Sequence, residues 1–143
     1  LDDLRRVADP PRARLPRPVI DIIAQHHGSS LVAYFYDKAS SREPAPDEAK
    51  YRYGATAPQT REAALVMLAD GAEAAARALT DRGAAQIEDA VRRVIAAKRA
   101  DGQLDRSGLT DQDLERTVGV YAKMLNGQWH SRAATYPEPS EGE

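Results

Sequence analysis

The chain is expected to fold as an all-α helical bundle of about five helices. Three observations predict this. Apolar residues recur at three- and four-residue steps through two long alanine-rich runs and a third run near the C-terminal end. Residues that start and stop helices flank those runs. No pair of strand-like segments is present to build a sheet. The class fits the composition, with 42% hydrophobic and 29% charged residues in a 143-residue chain of net charge −2. Such a chain is long enough for a real core, and its charge gives no broad electrostatic case for nucleic acid. With no cysteine there is no disulfide framework and no thiolate metal site, and a reducing compartment is compatible. No apolar run approaches the roughly 18 residues needed to cross a bilayer, and no signal-peptide pattern opens the chain.

Taken in order, Leu1, Leu4 and Val7 share one side of a short helical stretch that Pro10 and Pro11 would stop. Pro16 and Pro18 stand where a first turn tolerates proline. Val19, Ile20, Ile22 and Ile23 then make a strongly apolar helix that ends at His26-His27-Gly28, with Gly28 as the cap. Ser29 or Ser30 is a candidate cap for the next helix. Leu31–Tyr36 has β-rich propensity, so a strand competes there. Helix is the expectation, because no second strand is available to pair with it. Residues 40–57 are polar, with Pro44, Pro46 and Gly54, and read as a long loop.

Thr60 is placed to cap a helix running to Leu79, with Glu62 at its positive end. A second long helix covers Ala84 to Ala100, with Ile87, Val91, Val94 and Lys98 along one stripe, and Asp101-Gly102 ends it. Thr110-Asp111-Gln112-Asp113 opens a third in the manner of a capping box, with aspartate in place of the usual glutamate or glutamine. Its stripe is Leu114, Val118, Tyr121 and Leu125. Residues 136–143 hold two prolines and three glutamates and read as a disordered tail.

Few residues have the chemistry for a site. Two of the three histidines, His26 and His27, stand side by side at the end of an apolar turn. Both fall near the expected buried stripe, and a buried imidazole needs a partner, of which a metal is one. Adjacent helical side chains diverge by about 100°, so the two can share an ion only at a helix end where Gly28 lets the chain turn. On spacing alone, a hydrogen-bonded pair without metal remains the commoner explanation. Asp70 shares a helix face with Ala63, Met67 and Ala74; a carboxylate on an apolar face is costly unless a cation or donor meets it. A plain surface residue on an alanine helix explains it equally well. Glu73 suits an exposed pair with Arg77, and His130 suits the negative end of its helix. Tyr34, Phe35, Tyr36, Tyr51 and Tyr53 cluster around the long loop and read first as core. There is no glycine-rich phosphate loop, no serine elbow and no HExxH.

Taken together, these segments resemble part of the HD-domain metal-dependent phosphohydrolases. The resemblance is carried by Leu15-Pro16…Ile20…Ile23…His26-His27-Gly28, Tyr34-Phe35-Tyr36, Tyr51-Arg52-Tyr53-Gly54, Pro58-Gln59-Thr60 and Met67-Leu68-Ala69-Asp70. It continues through Asp101-Gly102-Gln103-Leu104, Leu109-Thr110, Asn126-Gly127…His130-Ser131-Arg132 and Tyr136-Pro137. The branch most similar is the seven-transmembrane HD proteins, which resemble membrane-anchored cyclic di-AMP phosphodiesterases.

The resemblance implies an all-α domain holding two divalent metal ions, iron or manganese. It assigns His26 and His27 to one ion and Asp70 to the other. The His-Asp dyad that bridges the ions in that family has no counterpart, since no His-Asp occurs in this sequence. Residues 1–135 are therefore expected to be the C-terminal part of an HD domain, cut short at its N-terminal side. The implied partners are a cyclic dinucleotide substrate, the N-terminal helices of the same domain, and a second copy of the chain meeting it through the face those helices would cover. The implied setting is cytoplasmic, on a membrane protein if the parent carries membrane spans. The fragment alone is expected to be inactive, and the competing function is a non-catalytic helical module that binds a ligand or partner.

Overall fold

The computed structural model describes residues 15–135. The short helix expected at Leu1–Val7 and the tail at 136–143 lie outside them. The described residues form five α-helices and one 3-10 turn: α1 (Arg17–Gln25), α2 (Ala33–Ser40), the turn Glu48–Tyr51, α3 (Arg61–Arg77), α4 (Ala84–Ala100) and α5 (Asp111–Thr135). Among them there is no named strand, and the all-α expectation holds. No helix of the described residues is long and apolar enough to cross a membrane.

The chain divides into two compact units. The described part of the first is 15–68 with 97–109, and that of the second is 69–96 with 110–135.

In the first unit, α1 begins on Pro16, with prolines in its opening turn and no side-chain cap. No residue of α1 is buried, and Val19 keeps 40% of its surface. The expected helix over Leu31–Tyr36 is split. Leu31 instead makes an isolated antiparallel bridge with Arg52, fixed by Val32 N donating to Tyr51 O (2.7 Å) and Tyr53 N donating to Ser30 O (3.0 Å). Helix starts only at Ala33, after Val32 and with no serine cap. The loop at 40–57 supplied the partner strand residue, which no hydrophobic pattern announced. Pro58, Ala63, Ala64, Met67 and Leu68 are fully buried at the start of α3, with Gln103, Leu104 and Ser107 from the later segment also buried. A leucine buried as Leu68 is contributes about 1.5–3 kcal/mol.

In the second unit the buried residues are Ala72, Ala76, Ile87, Ala90, Val91, Ile95, Leu114, Thr117, Val118 and Leu125. The capping box of α5 forms in both directions. Thr110 N donates to Asp113 Oδ2 (3.0 Å), and Asp113 N donates to Thr110 Oγ1 (3.2 Å). Helix α5 runs on to Thr135, so His130 stands within it rather than at its end.

Candidate metal-binding residues

His26 is the C-terminal cap of α1, still helical in backbone, and its amide bonds to Ile22 O (2.9 Å). Gly28 then takes φ +58°, the left-handed conformation that costs glycine little. This places both imidazoles at the helix end, with ring centroids 4.1 Å apart and planes tilted by 38°. His27 lies flat on Tyr53, with centroids 4.7 Å apart and planes within 8°. His26 Nδ1 lies 2.8 Å from Ile23 O. That bond requires a proton on Nδ1, so the lone pair of the neutral ring is on Nε2. A metal-binding histidine is prepared in the same way, its second nitrogen tied to a carbonyl. Both rings are half-buried.

The turn after the pair is held by side chains far away in sequence. Gln103 Oε1 accepts from Ser29 N (3.0 Å), and Gln103 Nε2 donates to Ser29 Oγ (3.0 Å) and Asp101 Oδ2 (3.0 Å). Arg52 Nη1 donates to Ser29 O (2.9 Å). The same guanidinium forks onto Asp101, through Nη2 to Oδ1 (2.7 Å) and Nη1 to Oδ2 (3.1 Å), and also bonds Glu48. The Arg52 fork holds the Asp101 carboxyl below its ordinary pKa, against the opposing push of burial. Lys98 Nζ donates to Ser30 Oγ (2.7 Å).

Asp70 lies on α3 and is exposed, which corrects the expectation of a carboxylate set in an apolar face. The buried stripe of α3 is Ala63, Ala64, Met67, Leu68, Ala72 and Ala76. At about 100° per residue, Asp70 falls at the edge of that stripe, and Ala74 is exposed with it. Glu73 does pair with Arg77 Nη1 (3.2 Å), as expected. Of the three candidate ligands, the structure thus brings His26 and His27 together. Tyr53, Arg52, Asp101 and Gln103 are the supporting residues that spacing did not single out, although all four stand in segments that carry the family resemblance.

No protein-family model matches the chain. The cyclic-di-AMP phosphodiesterase PgpH of Listeria monocytogenes is 37% identical over 127 residues, covering 89% of this chain and 18% of that protein. PgpH of Bacillus subtilis is 37% identical over 128 residues, 90% of this chain and 18% of its own length. The crystal structure of the L. monocytogenes PgpH HD domain in complex with cyclic-di-AMP superposes with a TM-score of 0.79 at 35% identity, covering 90% of this chain and 58% of that one. In sequence and in fold the chain is similar to the PgpH HD domain. A second structure of the same HD domain gives a TM-score of 0.75 at 34% identity. The chain spans 18% of the length of the PgpH proteins it matches.

Two imidazole nitrogens are the right donors for iron, manganese or zinc. They fall short in number, since protein sites for such ions use at least three protein ligands. Among the described residues no group of three His, Cys, Asp or Glu side chains could hold an ion.

Proposed function

We propose that the protein to which this chain belongs is a metal-dependent phosphodiesterase that hydrolyses a cyclic dinucleotide, with cyclic di-AMP as the first substrate to test. The observation that carries the reading is the tied imidazole pair: two rings 4.1 Å apart, with His26 Nδ1 committed to a carbonyl, in a chain 37% identical to PgpH. In this reading His26 and His27 bind one divalent ion and Asp70 binds the other. The ions, iron or manganese, would polarise the phosphodiester and activate the attacking water. The histidines hold their ion in place, and neither acts on the phosphate directly. The bridging His-Asp is contributed by residues outside this sequence, in the same domain, and 1–135 is the C-terminal part of that domain.

The experiment compares two proteins, each with added manganese and cyclic di-AMP: this chain alone, and the full-length protein. The expected result is turnover by the full-length protein and none by the chain. Robust turnover by the chain alone overturns the account of its role. No turnover by a metal-loaded full-length protein overturns the phosphodiesterase reading and favours a ligand-binding module. The same proposal includes self-association of the isolated chain through the face that the N-terminal helices would cover, supported at His26 and His27 by the absence of any buried residue in the helix that leads to them. Light scattering should then show a mass above that of one chain, and a clean monomer at high concentration rejects it.

A further inference from the structure

We propose that Arg52, Asp101 and Gln103 form a clamp that sets the direction of the His26–His27 pair; its importance for metal binding rests on the function proposed above. Ordinary helix ends are closed by local bonds, and this one has them, such as Gly28 N to Gln25 O (2.8 Å). The clamp is an addition. Ser29, two residues after His27, has both its backbone amide and its carbonyl taken by side chains from elsewhere, the amide by Gln103 and the carbonyl by Arg52. Gln103 is 2% exposed and uses both ends of its amide, so it cannot turn without breaking a bond at each. Asp101 joins the two arms, taking the fork of Arg52 and one proton of Gln103 Nε2.

Tyr53 works from the other side. Its amide is bonded to Ser30 O, and its ring lies on His27. Residues 52 and 53 therefore grip the backbone just after the pair and one of its rings. Gly28 is what permits the close approach: a Cβ there would collide with Gln103 Oε1 and reach to 2.7 Å from Met67 Cε. Fixing the backbone on one side and a ring on the other leaves the two imidazoles little freedom. Such support determines whether a ligand pair is pre-aimed or must be ordered by its ion.

The test uses the full-length protein with 15N-labelled histidine, in wild-type form and as Arg52→Lys, Gln103→Ala and Thr110→Ala. The last removes a helix cap and serves as the control for lost stability. The first readout is the imidazole nitrogen spectrum without metal; the second is Mn(II) affinity by titration. The clamp requires the His26 and His27 signals to shift or broaden in Arg52→Lys and Gln103→Ala, with Mn(II) affinity down by about 10- to 100-fold, and neither change in Thr110→Ala. Unchanged imidazole signals in both clamp variants overturn it, as does the same change in the control. If the wild-type protein binds no Mn(II), the metal reading falls, and the imidazole spectra still decide the clamp.

Discussion

Arg52 and Asp101, 49 residues apart in sequence, meet in a two-pronged ion pair of 2.7 and 3.1 Å. A fork of this kind fixes orientation as well as distance. Its members are each about 70% covered, with side chains 30% and 27% exposed, and Arg52 spends a further donor on Ser29 O. The pair therefore ties the 3-10 turn region to the loop after α4 and to the turn after the histidines, all within one unit.

The first prediction concerns pH. The carboxyl of Asp101 titrates below its ordinary value of 3.8 because Arg52 bonds its charged form. A depressed carboxylate stabilises the fold above its unfolded value, and the contribution disappears as pH falls through the folded value. Asp101→Asn should destabilise the chain by about 1–2 kcal/mol at pH 7, the scale of a partly exposed charge-assisted bond. The difference from wild type should shrink below pH ~4. Urea unfolding at pH 7 and at acid pH measures both, and a difference independent of pH counts against the pair.

A second prediction separates two glycines with the same backbone sign. Gly28 has φ +58° and Gly108 φ +74°. A Cβ at Gly108 meets only Arg61 Cγ, at 3.9 Å, whereas one at Gly28 collides with Gln103 and Met67. Gly108→Ala should cost about 1–2 kcal/mol, the left-handed penalty alone. Gly28→Ala should cost that plus about 1–3 kcal/mol of overpacking. Equal losses by chemical denaturation would mean that Gln103 moves aside freely.

The capping box gives a third prediction. Thr110→Ala and Asp113→Ala should each cost about 1 kcal/mol. The two should add only in part, because both remove the Thr110 Oγ1–Asp113 Oδ2 bond (2.7 Å) while each also removes a separate backbone bond. A double variant worse than either single one, but by less than their sum, is the expected outcome, read from unfolding midpoints.

What the sequence revealed and what it concealed follow from the range of the forces. The Thr110–Asp113 box spans four residues, and Ile87, Val91, Leu114, Val118 and Leu125 fall on stripes set by helix pitch, so local pattern was enough for them. All are buried in the structure. The exposure of Asp70 was not legible because a small alanine side chain marks either a buried or an exposed position. Ala74 is exposed and Ala72 buried, which the letters cannot distinguish. The Leu31–Arg52 bridge and the Ser29–Gln103 bonds join segments with no shared period, so nothing in either segment forecasts the other. The histidine pair was legible as an oddity, and the resemblance supplied the chemistry. Its stacking on Tyr53 needed coordinates.

The last prediction is about metal and the isolated chain. A ligand stabilises a fold by RT ln(1 + [L]/Kd), which is about 0.4 kcal/mol when the free concentration equals Kd. For a chain of this size that moves the unfolding midpoint by about 1–3 °C. Two imidazoles with no third His, Cys, Asp or Glu donor among the described residues make a weak site. Manganese at about 0.1 mM should therefore leave the midpoint of this chain within about 1 °C of its metal-free value, and the variant carrying both His26→Ala and His27→Ala should respond to manganese no differently within that margin. A shift of several degrees that vanishes in the double variant would mean that the chain completes a site by itself, drawing a further donor from outside the described residues or from a second copy.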